Sequence, residues 1–154
     1  MKIYSIILTL GLFSAAQNLA AQQDERAVKA VINRFFEGLE KGDTSLLKST
    51  CTDNPVLQTY MADKSGALVI MTEDYTDLLN FVGTPKKDSY DERIKFKAVL
   101  VEKSLASVWT PYVFYLNGKI SHCGTNSFQL VKTSQGWKIQ YIIDTRRKQG
   151  CNSE

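Results

Sequence analysis

An amphipathic helix stops at Lys41-Gly42-Asp43, and from Ile94 to Arg146 the chain is almost unbroken strand. That order, helices first and long strands last, restricts the architecture sharply. Ala106–Leu116, Lys119–Lys132 and Trp137–Arg146 read as three long antiparallel strands, joined through Asn117-Gly118 and Thr133-Ser134-Gln135-Gly136. Strands of that length twist and cannot form a flat sheet, so the helices of the first half must cover the concave side. The predicted fold class is α+β: a cone in which N-terminal helices pack on a strongly curved antiparallel sheet.

Over residues 24–41, Val28, Val31, Ile32, Phe35 and Leu39 recur at three-and-four spacing on one helix face. Glu25–Lys29 and Glu37–Lys41 are i,i+4 pairs on the wet side. Gly42 suits the left-handed conformation that ends a helix, and Asp43 caps a short second helix through Leu46 and Leu47. Val56–Met61 and Ala67–Thr72 read as strands around a turn at Asp63-Lys64-Ser65-Gly66. Thr72 then caps a helix running to about Phe81, with Tyr75, Leu78, Leu79 and Val82 on its buried side. In the next strand Ile94, Phe96, Ala98 and Leu100 share one face, which alternation assigns to the interior.

The first 21 residues have the layout of an export signal: basic Lys2, an apolar run from Ile3 to Phe13, then small residues up to Ala20-Ala21. Cleavage fits best after Ala21, and Ala16 is the alternative. Residues 22–154 then form a single domain in a periplasmic or secreted protein that keeps no membrane segment. The formal charge of +3 falls to +2 without Lys2, too balanced for a nucleic-acid partner. Lys86-Lys87 and Arg146-Arg147-Lys148 read as solvated surface. The cysteines Cys51, Cys123 and Cys151 contain no Cys-x-x-Cys pair. One pair can oxidise outside the cell, spacing does not say which, and Cys51 and Cys123 read as buried thiols. A single histidine among scattered carboxylates does not form a zinc or iron site, and no cofactor is indicated.

Val31 to Asp43 (VINRFFEGLEKGD), together with Phe128-Gln129-Leu130 and Gly136-Trp137-Lys138-Ile139, resembles the nuclear transport factor 2-like superfamily. Ketosteroid isomerases, scytalone dehydratase and polyketide cyclases belong to it, as does an exported branch provisionally labelled lumazine-binding. The resemblance implies a cone that holds ligands in its hollow and often dimerises through the open sheet. The isomerase residues are not matched. Alignment on Gly42-Asp43 puts Thr59 at the place of the proton-carrying aspartate and Phe35 at that of the catalytic tyrosine. Asn126 falls near the aspartate that stabilises the enolate oxygen. Threonine is no base and phenylalanine donates no hydrogen bond, so that chemistry is disfavoured. Scytalone dehydratase needs more than one histidine.

Strand alternation places Ile120, His122, Gly124, Asn126, Phe128 and Leu130 on one face, looking into the cone. His122 and Asn126 are its polar groups. They read either as groups that orient a ligand or, for His122, as a hydrogen-bonded core histidine. Cys123 points away from His122, which argues against a Cys-His nucleophile. Asp63, Glu73 and Asp74 have turn and capping roles. Asp144 and Arg146 alternate with Trp137, Ile139, Tyr141 and Ile143 and are expected to pair on the outer face. The candidate pocket is therefore Phe35, Tyr60, His122, Asn126 and Tyr141, taking a small apolar or aromatic molecule without assigned catalytic residues. The first alternative is a cyclase, dehydratase or isomerase with His122 as general acid or base. The second is a dimeric interaction module using a sheet face with Trp109, Val113 and Tyr115.

Overall fold

The helix expected over 24–41 is the C-terminal part of α1 (Tyr4–Lys41) in the computed structural model, which describes residues 4–152, with side chains for Leu19 and for 21–152. The export signal assigned to 1–21 falls almost wholly outside those side chains. Val28, Ile32 and Phe35 are buried, while Glu25–Lys29 and Glu37–Lys41 pair at 2.6 Å on the wet side. Gly42 ends the helix at φ +70°, and Asp43 accepts a 2.8 Å bond from the Leu46 amide to start α2 (Thr44–Thr50). After β1 (Cys51–Ala62) and β2 (Leu68–Glu73) comes α3 (Tyr75–Gly83). Its cap is Asp74 rather than Thr72, because Asp74 reaches the free amides of Thr76 and Asp77.

β3 (Tyr90–Ile94), β4 (Ala98–Glu102), β5 (Leu105–Leu116), β6 (Lys119–Thr133) and β7 (Gly136–Arg147) complete a curved seven-stranded sheet. Its order is β2-β1-β7-β6-β5-β3, with β4 also on β5. The sheet is mixed rather than purely antiparallel, because β1 runs parallel to β7, with Val56 opposite Tyr141 and Tyr60 opposite Thr145. The β5–β6 hairpin turns at Asn117 (φ +53°) and Gly118 (φ +74°), as that dipeptide requires.

Three irregularities re-aim side chains that simple alternation misplaces. Residues 95–97 stand opposite only Thr110 and Pro111, whose missing N–H faces this ladder. The strand splits there and its parity flips. Ile94 and Phe96 pack inward, but so do Val99 and Val101, whereas Leu100 is 68% exposed. Ser121 is extra in β6, so Ile120 leaves the His122 face and is exposed. Gln140 is extra in β7, so Trp137 and Ile139 face inward before it and Ile142 and Asp144 after it.

Ile32, Leu47, Phe128, Leu130 and Ile139 form the dry centre of the core. Cys123 is joined to Cys151 and tethers the C-terminal tail to β6, and Cys51 is the free, buried thiol. Cys123 is thus not the thiol expected of it. Trp109 is exposed as expected, but Tyr115 is buried, with the Arg93 guanidinium 4.2 Å from its ring centroid.

Candidate functional site

Between α1, α3 and the inner sheet face lies a hollow of about 460 Å³. Its walls are apolar and aromatic: Phe35, Phe36 and Leu39 from α1, Leu78, Phe81 and Val82 from α3, and Phe114, Phe128 and Ile142 from the sheet. Phe36 meets Phe35 and Phe128 edge to face at 5.5 and 5.9 Å, a geometry that holds the rings in place. Polar groups collect where β1, β7, β6, β5 and β3 run side by side. There Thr59, Glu92, Tyr112, His122, Asn126, Asp144 and Arg146 line the hollow.

Asp144 organises this polar end. Its carboxylate accepts from Thr59 Oγ1 at 2.5 Å, from the Tyr112 hydroxyl at 2.9 Å and from Arg146 Nε at 3.0 Å. Three donors make burial of the group tolerable, which an unpaired carboxylate would not be. Burial, with Asp144 and Glu92 beside it, pushes the Tyr112 hydroxyl far above its ordinary range, so it remains a donor. That hydroxyl also lies 3.1 Å from the Thr145 carbonyl oxygen. A Cβ on Gly124 would come within 1.7 Å of the same oxygen, so only glycine fits there.

Glu92 has less company. One oxygen accepts from Asn126 Nδ2 at 2.9 Å, and the other has no donor among the described residues. Burial, reinforced by Asp144 and opposed by Asn126 and Arg146, pushes its carboxyl up to about 7. His122 stacks on Phe114 at 4.7 Å and meets Tyr112 edge-on at 5.8 Å. Burial and the Arg146 charge hold its imidazole below its ordinary value, so it is neutral at physiological pH. The site therefore combines an ion-paired acid, an acid that keeps its proton to near neutrality and a neutral imidazole.

Phe35, His122 and Asn126 line the hollow where the sequence placed them. Tyr60 does not, because alternation along β1 turns Leu57 and Thr59 inward and leaves Tyr60 39% exposed. Tyr141 does not either. The Gln140 bulge sends it to the opposite face, where its hydroxyl donates to Gln58 Oε1 at 2.7 Å. The same bulge brings in Asp144 and Arg146, expected outside; they do pair, but inside the cone. Lys86, read as solvated surface, sits at the rim 3.6 Å from the Phe81 ring centroid. Glu73, read as a capping residue, also borders the hollow. Glu92 also lines the hollow, and no motif in the sequence marks it. Carrying the Ile94–Phe96 face back two residues would have found it.

No family model matches the sequence, and no curated protein does. Solved structures do share the shape. A conserved protein from Planctomyces limnophilus superposes with a TM-score of 0.68 at 17% identity, covering 82% of this chain and 98% of that one. A nuclear transport factor 2-like protein with a cystatin-like fold from Novosphingobium aromaticivorans also reaches 0.68, at 13% identity over 91% of this chain and 92% of that one. The fold is nuclear transport factor 2-like. A third structure with this fold, from Streptomyces avermitilis, is provisionally named a dehydratase; it gives 0.65 at 15% identity over 83% and 99% of the two chains. The nuclear transport factor 2-like assignment agrees with the resemblance carried by Val31–Asp43 and Gly136–Ile139, and the neighbours lend no support to the lumazine-binding label.

Proposed function

We propose that this protein binds a small, largely apolar or aromatic molecule inside the cone. The observation behind this reading is the hollow itself: about 460 Å³ walled largely by aromatic and aliphatic side chains, with Glu92, Tyr112, His122, Asn126, Asp144 and Arg146 on adjoining strands and Glu73 and Lys86 also bordering it. Phe35, His122 and Asn126 stay in the proposed contact set, and Glu92 and Arg146 replace Tyr60 and Tyr141. Export to an oxidising compartment belongs to the same proposal, supported by the Cys123–Cys151 bridge. Native mass spectrometry of gently purified mature protein tests it. An adduct on each chain is expected, lost in a Leu78→Trp variant that fills the hollow and still melts cooperatively. A bare chain that also fails to take up naphthalene-type probes would remove the reading.

A second reading is an enzyme that moves protons on such a molecule, in which Glu92 joins His122. It is favoured by a carboxyl pushed up to about 7 beside a neutral imidazole, since acid and base groups separated in this way suit proton transfer near neutral pH. A neighbour named provisionally as a dehydratase is compatible with it. Turnover that survives Glu92→Gln unchanged would exclude Glu92 from that role. Dimerisation through the outer sheet face is a separate proposal, resting on exposed Trp109 and Leu100. Sedimentation of Trp109→Ala against the parent tests it, and an unchanged mass would end it.

A further inference from the structure

The donors at the polar end fall into two groups. The Thr59 and Tyr112 hydroxyls are committed to Asp144, and the Asn126 amide is committed to Glu92. Arg146 spends only Nε on Asp144, which leaves its two Nη nitrogens without a described partner. Glu92 likewise keeps one carboxyl oxygen without a described partner, and its carboxyl borders the hollow. The Asp144–Arg146 salt bridge cancels its own charge. A cationic ligand would meet Arg146 there, and an anionic one would meet Asp144. What is unfilled is a place for one uncharged acceptor.

We propose that this end of the hollow receives the carbonyl oxygen of a neutral, aromatic or alicyclic molecule, with the Glu92 carboxyl hydroxyl as donor and Arg146 as the second. This rests on the reading that the hollow binds a small molecule, and it names the class. The ring system lies against Phe36, Phe114 and Phe128, and the carbonyl replaces the partner that Glu92 lacks. Binding then requires a proton on Glu92. The groups around that carboxyl are Asn126 and His122 on β6, Tyr112 on β5, and Asp144 and Arg146 on β7. Tyr112 and Arg146 are pushed above their ordinary values and His122 below its own, each away from the range of Glu92. Glu92, pushed up to about 7, changes state between about pH 6.5 and about pH 8.5. Affinity for a carbonyl ligand should fall across that interval as the competent fraction falls.

Equilibrium dialysis of the full protein with 2-acetylnaphthalene and with 2-ethylnaphthalene tests this, since the two share a ring system and differ in the carbonyl. The ketone should bind more tightly at about pH 6.5 and lose about 25-fold by about pH 8.5, whereas the hydrocarbon should show no pH dependence. Glu92→Gln keeps an N–H donor and cannot titrate, so it should retain the preference for the ketone and abolish its pH dependence. Glu92→Ala should lose the preference, with cooperative melting confirming that both variants fold. Equal, pH-independent binding of the two probes overturns the inference and leaves small-molecule binding standing. A ketone preference or pH dependence unchanged in Glu92→Ala also overturns it. If neither probe binds, the underlying pocket reading fails and the inference with it.

Discussion

Strands β6 and β7 pass through two environments that are almost equally buried and chemically opposite. At one end Leu130 and Ile139 are both 0% exposed in an apolar core under α1. At the other, Asn126 is 5% and Asp144 7% exposed, and both carry polar groups into the hollow. The apolar half is held by non-directional burial and close packing, which tolerate small adjustments. The polar half is held by directional bonds, each of which must find its partner. Asp144 collects three donors, whereas Glu92 has one and keeps an open oxygen. Depth therefore does not distinguish core from site; the charged and hydrogen-bonding side chains that border the hollow do.

Substitutions can break that comparison, and the largest effect is expected where the halves meet. Gly124→Ala sets a Cβ at 1.7 Å from the Thr145 carbonyl oxygen, so β6 and β7 must separate; a protein that does not fold, or melts several kcal/mol less stable, is expected by denaturant titration. Asp144→Ala strands Thr59, Tyr112 and Arg146 and should cost about 3–5 kcal/mol, read from chemical denaturation. In the apolar half Leu130→Ala should cost about 2–5 kcal/mol through the cavity it leaves, with Leu130→Met well under half of that. If Asp144→Leu proves as harmless as Leu130→Met, the polar half is ordinary core and the distinction collapses.

Smaller changes sharpen the contrast. Cys123→Ser with Cys151→Ser opens a bridge across a separation of 28 residues and should cost about 2–4 kcal/mol in oxidised protein, vanishing when the parent is reduced. Glu92→Gln should have the opposite sign, and an effect that disappears at low pH. The folded carboxyl is pushed up to about 7 from its ordinary 4.5, so the native state holds a proton that the unfolded chain has released, and stability falls as pH rises between those values. The variant should therefore be more stable than the parent by about 3 kcal/mol near pH 8 and equal to it near pH 4, measured by melting at both.

Much of the frame was legible before any coordinates. The α1 face through Val28, Ile32 and Phe35 came from helical spacing, the Asn117-Gly118 hairpin from turn chemistry, and the inward side of β6 from two-residue alternation. Half of the site was not. Alternation assigns Asp144 and Arg146 outward and Tyr141 inward, because counting by twos along β7 runs through Gln140, which has no partner of its own. The same counting put Leu100 inside instead of Val99 and Val101, across the break opposite Pro111.

The sequence by itself determined which segments are helix and strand, which apolar residues can share a face, and that helices must close a curved sheet, since these follow from local periodicity and turn preferences. Tertiary structure alone decided that β1 lies parallel to β7, that Cys123 joins Cys151, and that Glu92, Asp144 and Arg146 meet in one hollow. A bulge is a mismatch between two strands, so neither strand records it alone. One unpaired residue is enough to exchange the inside of a sheet for its outside.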